Sequence, residues 1–228
     1  MTLGPTLIKK CSACEQLIEE WTIMSGNDIG AVYWTDGECF AMMLPDLPKL
    51  VKCPRCKALL WLSELELLGE KEGHSVLSAR EMSNGRGDFS GSQPYDILEA
   101  EDYFARLKMG VSGSAKVLYL RLRGWRAGND ARRESAECPG IFKTPGGGTN
   151  PPLNNDEIEN MRALADLLKY KKHGDRLLKA EIMRELGLFA QAMALLGRPL
   201  KPGLRSAAAF IMELAEKKDP LVRELRLR

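Results

Sequence analysis

The chain holds only two histidines, His74 and His173, in 228 residues. No nucleophile motif accompanies either, and no metal-binding pattern leaves an open coordination position, so the residues assemble no constellation able to run chemistry and a non-catalytic role is expected. Long apolar runs are missing too. The longest is AAAFIM at 207–212, far below the roughly 20 residues that a membrane-spanning helix needs. The opening MTLGPTLIKK has no apolar stretch of signal-peptide length, which predicts a soluble, cytoplasmic protein. Excess charge is also scarce: 33 Lys and Arg face 31 Asp and Glu, too even a balance to imply a nucleic-acid partner by itself. There is no Gly-Lys-Ser/Thr phosphate loop, and the glycines of NGRGDFSG have the wrong spacing for a dinucleotide fingerprint. Within that stretch Arg86-Gly87-Asp88 spells an integrin-binding tripeptide, read as accidental without an export signal.

Cysteine is present, and it is patterned. Cys11 and Cys14 in KKCSACEQ and Cys53 and Cys56 in KCPRCKALLWL form two Cys-x-x-Cys pairs. Each short loop can turn both sulfurs to one ion, and two such knuckles close the tetrahedral four-thiolate shell of a structural zinc site; a single Zn2+ per chain is expected, with iron also suited to this donor set. The alternative is a thiol-disulfide oxidoreductase using Cys53 and Cys56, because CPRC resembles the motif in which a helix N-terminus activates the first thiol. Ser63 and Glu66 have capping-box spacing and place a helix start near Glu64, too late to reach Cys53, and ALLWL reads as a short strand. Lys9, Lys10, Lys52, Arg55 and Lys57 flank the knuckles, either as surface charge or as cations that stabilise a centre of about minus two. Cys39 reads as a small buried hydrophobe and Cys138 as a loop thiol.

Between the knuckles, turn signals at SGND and TDG divide the chain into apolar runs near 20–24, 29–34 and 38–44. These predict a three-stranded antiparallel meander, with Asp36-Gly37 as a hairpin turn and Trp21, Tyr33, Trp34 and Phe40 as a small aromatic core. So thin a core needs metal to stand. The fold class predicted is α+β: a zinc-ribbon-like domain over residues 1–79, a Gly/Ser-rich linker over 80–94 and a helical domain over 95–228. Helical spacing marks 95–110 and 114–128, an irregular loop 137–152, and a helix from a cap at Asn155 or Asp156 to Gly174, with His173 near its C-terminus. Helices at 206–218 and over the final PLVRELRLR complete the set.

In AEIMRELGLFAQAMALL, Ala180, the Leu186-Gly187 turn, Phe189, Ala192 and Leu196 resemble the small, turn, aromatic, small and large positions of a tetratricopeptide hairpin. Together with CSAC, YWTDGE, LVKCPRC, YLRLRGWRAGND and RLLKAEIMRELGLF, the chain resembles uncharacterised bacterial proteins that join an N-terminal zinc-binding region to tetratricopeptide-like helices. That resemblance implies an architecture and no activity.

The reading that follows is a zinc-binding adaptor whose helices present a surface to a protein partner. Nucleic-acid binding through the ribbon is the alternative, weakened because residues 1–60 carry six Lys or Arg against seven Asp or Glu. One further segment, RLRGWRAGNDARR, crowds Arg121, Arg123, Arg126, Arg132 and Arg133 around Trp125. Two readings fit it: a charged helix face paired with acids such as Glu101 and Asp102 above a buried Trp125, or a clamp for an anion or acidic partner.

Overall fold

The computed structural model describes residues 1–71, 89–133 and 150–225. Among them are ten strands: β1 (Thr2–Leu3), β2 (Thr6–Lys10), β3 (Leu17–Glu20), β4 (Ile23–Ser25), β5 (Val32–Tyr33), β6 (Cys39–Phe40), β7 (Leu50–Lys52), β8 (Leu59–Trp61), β9 (Glu66–Lys71) and β10 (Gln93–Pro94). The helices are α1 (Ala100–Lys108), α2 (Ser114–Asn129), α3 (Asn155–Leu167), α4 (His173–Glu185), α5 (Phe189–Leu196) and α6 (Arg205–Glu216). The class is α+β, as the sequence predicts. No helix among the described residues is long and apolar enough to cross a membrane. His74, Cys138, Arg86-Gly87-Asp88, residues 80–88 of the expected linker and 137–149 of the expected loop lie outside the described residues.

Two compact units emerge, and the chain visits each of them twice. The first comprises 1–31 and 41–98; the second comprises 32–40 and 99–228. In the first unit, β2 pairs antiparallel with β3 on one side and β9 on the other, while β10 runs parallel to β3. β1 pairs with β4, and β7 with β8. Alternation along β2 and β3 turns Ile8 and Ile18 fully inward. Ile18 packs with Val51, Leu60 and Leu62 around the buried Cys11 and Cys53. The helix expected from Glu64 is instead the strand β9, preceded by one 3-10 turn at Leu62–Glu64. Pairing with β2 satisfies its backbone, and the capping-box spacing of Ser63 and Glu66 has no helix to cap. Residues 93–98, expected in linker and helical domain, supply β10 and Leu98 to this first unit.

The expected meander is divided. β4 turns back to β1, whereas β5 and β6 form a separate hairpin in the second unit, closed by Gly37 at φ 75° as Asp36-Gly37 predicts. Trp34 is buried there, but Trp21 in the first unit is 52% exposed, so the four aromatics share no core.

In the second unit successive helices pack on one another from α1 to α6. Trp125, Met161, Leu164, Ile182 and Ala192 form the main core. Gly124 lets Phe104 approach α2: a Cβ there would lie 2.8 Å from Phe104 Cε1. The cap of α3 is Asn154, whose side chain accepts from the Glu157 N–H while Glu157 reaches back to the Asn154 N–H. α3 stops at Leu167, and a new helix starts at His173, which therefore stands at a helix N-terminus rather than the C-terminus expected. α4 ends in a Schellman turn: Gly187 sits at φ 75°, its N–H donates to the Arg184 carbonyl, and the Leu188 N–H donates to that of Met183. The chain then returns as α5, with Ala180 and Ala192 fully buried. The described part of the final segment is not helical. Thr35 N–H donates to the Arg223 carbonyl, Leu225 N–H to that of Tyr33, and Trp34 bridges Glu224, so 223–225 extend the hairpin as a third strand-like edge.

Candidate metal centre

Two β-hairpins of the first unit carry the cysteines, and their turns are built alike. β2 leads into Cys11 and β3 leaves after Cys14; β7 leads into Cys53 and β8 leaves after Cys56. In the first turn the Glu15 N–H donates to the Cys11 carbonyl and the Cys11 N–H to the Gln16 carbonyl; in the second, Lys57 donates to Cys53 and Cys53 to Ala58. The residue after each second cysteine, Glu15 at φ 61° and Lys57 at φ 60°, takes the left-handed conformation that turns the chain back. Two unrelated sequences thus adopt one strained turn, a cost that the surroundings must offset.

The four sulfurs lie within 4.8 Å of one another. Cys11 Sγ is 3.8 Å from Cys56 Sγ, and Cys14 Sγ is 3.7 Å from Cys53 Sγ. Metal–sulfur bonds of about 2.3 Å in a tetrahedron put the sulfurs about 3.8 Å apart, so the donor set fits one ion. Cys11 and Cys53 are buried, Cys14 is partly covered and Cys56 is exposed, which gives an ion a path in. Burial pushes the Cys11 and Cys53 thiols up from their ordinary value, while the Gln16 N–H draws Cys14 down to about 7. The Ala13 N–H points at Cys11 Sγ from 3.4 Å. Of the flanking cations, Lys9 meets Glu20 at 2.6 Å, Lys10 meets Glu66 at 3.1 Å and Lys57 meets Asp96 at 2.7 Å. Carboxylates thus take up much of the charge expected to face the sulfurs. After Cys56 comes the strand β8, and no helix begins at Cys53. Cys39 lies in the β5–β6 hairpin, outside this unit and only partly buried.

The arginine-rich segment lies in the second unit and is used inside it. Arg132 grips Glu157 with both terminal nitrogens, at 2.7 and 2.9 Å, and both side chains are buried. Arg133 is 1% exposed, pairs with Asp36 and Asp130, and lies over the rings of Trp34 and Phe40. Arg126 donates to the Gly37 carbonyl at 2.6 Å, Arg123 stands 3.8 Å from Glu38, and Arg121 reaches Asn160 at 3.4 Å. Partners of Arg123, Arg126, Arg132 and Arg133 therefore include the hairpin and α3, where Glu101 and Asp102 of α1 were expected. Trp125 is buried beneath them, and its Nε1 donates to Glu185 at 2.8 Å. Asn129 bridges Glu185 and Asp36, each at 3.1 Å.

Glu185 is the residue that sequence reasoning missed altogether. It is buried, accepts only from the neutral donors Trp125 and Asn129 among the described residues, and burial followed by the nearby Glu181 and Asp36 holds its carboxyl well above the usual range. Its partners stand 56 and 60 residues away, so no local pattern marks it.

Comparison of the chain with protein-family models, with curated proteins and with solved structures gives no match.

Proposed function

We propose that Cys11, Cys14, Cys53 and Cys56 hold one Zn2+ as a structural ion, and that the chain is a non-catalytic adaptor whose helical unit engages a protein partner. The observation that carries the metal assignment is the pair of matched turns, which bring four sulfurs to tetrahedral spacing from two separate hairpins. Four thiolates fill the shell and leave no position for a substrate or an activated water. The same geometry speaks against a Cys53–Cys56 redox couple, since no helix N-terminus lowers the first thiol. Iron at this site would give a coloured, redox-active protein; zinc fits the structural role.

Support for the adaptor rests on the helical unit. Its helices stack in sequence, and the α4–α5 hairpin places Ala180 and Ala192 at a close seam, as in the tetratricopeptide-like proteins that the chain resembles; such stacks commonly serve as binding surfaces. Nucleic-acid binding by the ribbon keeps only Trp21 of its four expected stacking rings, because Tyr33, Trp34 and Phe40 belong to the other unit. Elemental analysis of the purified protein should find one zinc per chain, and affinity capture from the host should recover a discrete protein that a metal-loaded, helically intact preparation binds again when purified. A metal-free protein cycling between Cys53–Cys56 disulfide and dithiol would replace this reading with the redox one.

A further inference from the structure

Positive charge gathers on one corner of the helical unit. Residues 169–176, between α3 and the first turn of α4, contain Lys169, Lys171, Lys172 and Arg176; residues 198–205, between α5 and α6, contain Arg198, Lys201 and Arg205. Asp175 is the lone acid in the two segments. Seven cations against one carboxylate leave 26 against 30 for the remainder of the chain, so the corner is strongly basic in a molecule that is otherwise acidic.

The fold brings the two segments together. Lys201 N–H donates to His173 Nδ1 at 2.9 Å, and Arg176 Nη2 donates to the carbonyls of Arg198 and Pro199 at 3.2 and 2.5 Å. The guanidiniums of Arg176 and Arg198 lie 5.6 and 5.5 Å from the centre of the same ring, that of Tyr170, which is 39% exposed. Arg176 is itself buried, with Nε lacking a hydrogen-bond partner among the described residues. Lys169, Lys171, Lys172, Arg198, Lys201 and Arg205 are exposed, and none is seen in a salt bridge with a described residue. Asp175 accepts from the Lys169 N–H, so the lone carboxylate is engaged with backbone. The N-terminus of α4 adds its positive dipole end to the same corner.

We infer that this corner binds single-stranded nucleic acid, as a ligand distinct from the protein partner of the adaptor and independent of the metal. Exposed cations that no internal acid neutralises are suited to a chain of phosphates, whose release of counterions drives association. Arg176, buried behind the ring, fixes Tyr170, and the exposed Arg198 guanidinium against that ring offers a flat, cationic platform on which an unpaired base can rest, while a duplex keeps its base faces covered. The basic corner lies in the helical unit, whereas residues 1–60, which include both knuckles, are nearly charge-balanced.

The test uses the full-length, zinc-loaded chain and fluorescence anisotropy with a labelled 15-nucleotide oligouridylate, the matching oligothymidylate, a 15-base-pair duplex and phosphatidylglycerol vesicles. Either single strand should bind more tightly than the duplex, with affinity falling steeply as salt rises. Lys171→Glu/Lys172→Glu/Lys201→Glu should weaken strand binding at least tenfold and reduce the salt slope by about 2, at roughly 0.7 per lost phosphate contact. The equally charged control Lys108→Glu/Lys116→Glu/Lys218→Glu, placed elsewhere on the same unit, should retain binding within about threefold. Tyr170→Ala should weaken strands and leave residual duplex binding unchanged. Circular dichroism and zinc content establish that each variant is folded. Absence of binding at low salt, equal losses in the two triple variants, preference for the duplex, or tighter binding to vesicles than to either strand would each overturn the inference.

Discussion

The two units solve the same problem, burial of groups that water would otherwise solvate, by different chemistry. In the first, Ile18, Val51, Leu60 and Leu62 ring Cys11 and Cys53, the buried half of the four-sulfur cluster, while Met24, Ile29 and Met42 are 74, 81 and 56% exposed. So small a core is one that the proposed ion would stabilise. In the second the apolar core around Trp125 and Met161 is conventional, and beside it lies a set of buried ions: Asp36 with Arg133, Glu157 with Arg132, and Glu181 with Arg184, the last at 2.5 Å with both side chains fully buried. The lesson is that polar interiors differ in how they fail. A metal centre is lost all at once with its ion, whereas a network of ion pairs is lost one partner at a time and leaves an uncompensated charge behind.

The largest expected effect is on the metal side. Cys53→Ser, or removal of the ion by a chelator, should unfold the first unit, since structural zinc supplies on the order of 10 kcal/mol to small domains. Hydrogen exchange read by mass spectrometry should show protection lost over 6–20 and 50–61 and kept over 32–40 and the helices. Loss of protection at 32–40 as well would break the division into two units. Next comes Arg133→Ala, which leaves Asp36 buried without its cation and should cost the helical unit about 3–5 kcal/mol in urea denaturation. Replacing Arg133 by Met together with Asp36 by Asn should recover part of that loss.

Smaller, and opposite in sign to the usual behaviour of carboxylates, is the effect of Glu185. Its carboxyl is raised in the folded state, so the folded chain holds a proton that the unfolded chain releases. Its contribution to stability is therefore full at acid pH and declines as pH rises from the ordinary carboxylate range through the folded value, by at most about 1.4 kcal/mol per pH unit. Glu185→Gln should flatten that part of the pH–stability curve of the helical unit and leave zinc content unchanged. The smallest effect is local. Asn154→Ala removes the cap of α3 and should cost about 1 kcal/mol, seen as a lower melting temperature with unchanged helix content at 25 °C.

How much of this was readable in the chain depended on distance along it. The cysteine pairs were legible because each knuckle is local and its spacing specifies its chemistry, and the Asp36-Gly37 turn was legible for the same reason. Where the hairpin goes was not, since Asp36 meets Arg133 and Thr35 meets Arg223 across 97 and 188 residues. Ser63 and Glu66 carry the spacing of a helix start, yet the edge of β2 claims the backbone that follows them. After Val222 the segment PLVRELRLR holds only good helix formers, and pairing with Tyr33 and Thr35 overrides that preference for residues 223–225. The lysine run before Gly174 looked like the end of a helix, although Gly174 sits in the first turn of the next one; for that reason the basic corner was also missed.

The split hairpin has a consequence for synthesis. Thr35 leaves the ribosome 188 residues ahead of Arg223, its partner at the edge, which at about 5–20 residues per second is a wait of roughly 10–40 s. All four cysteines have been made by residue 56, so an ion can lock the knuckles early in that interval. Arg133 follows Asp36 by 97 residues and can claim its carboxylate near the midpoint of that interval, so it is the outer edge of the hairpin, at Tyr33 and Thr35, that waits for 223–225. The hairpin is thus closed in two stages, its buried carboxylate first and its outer edge last.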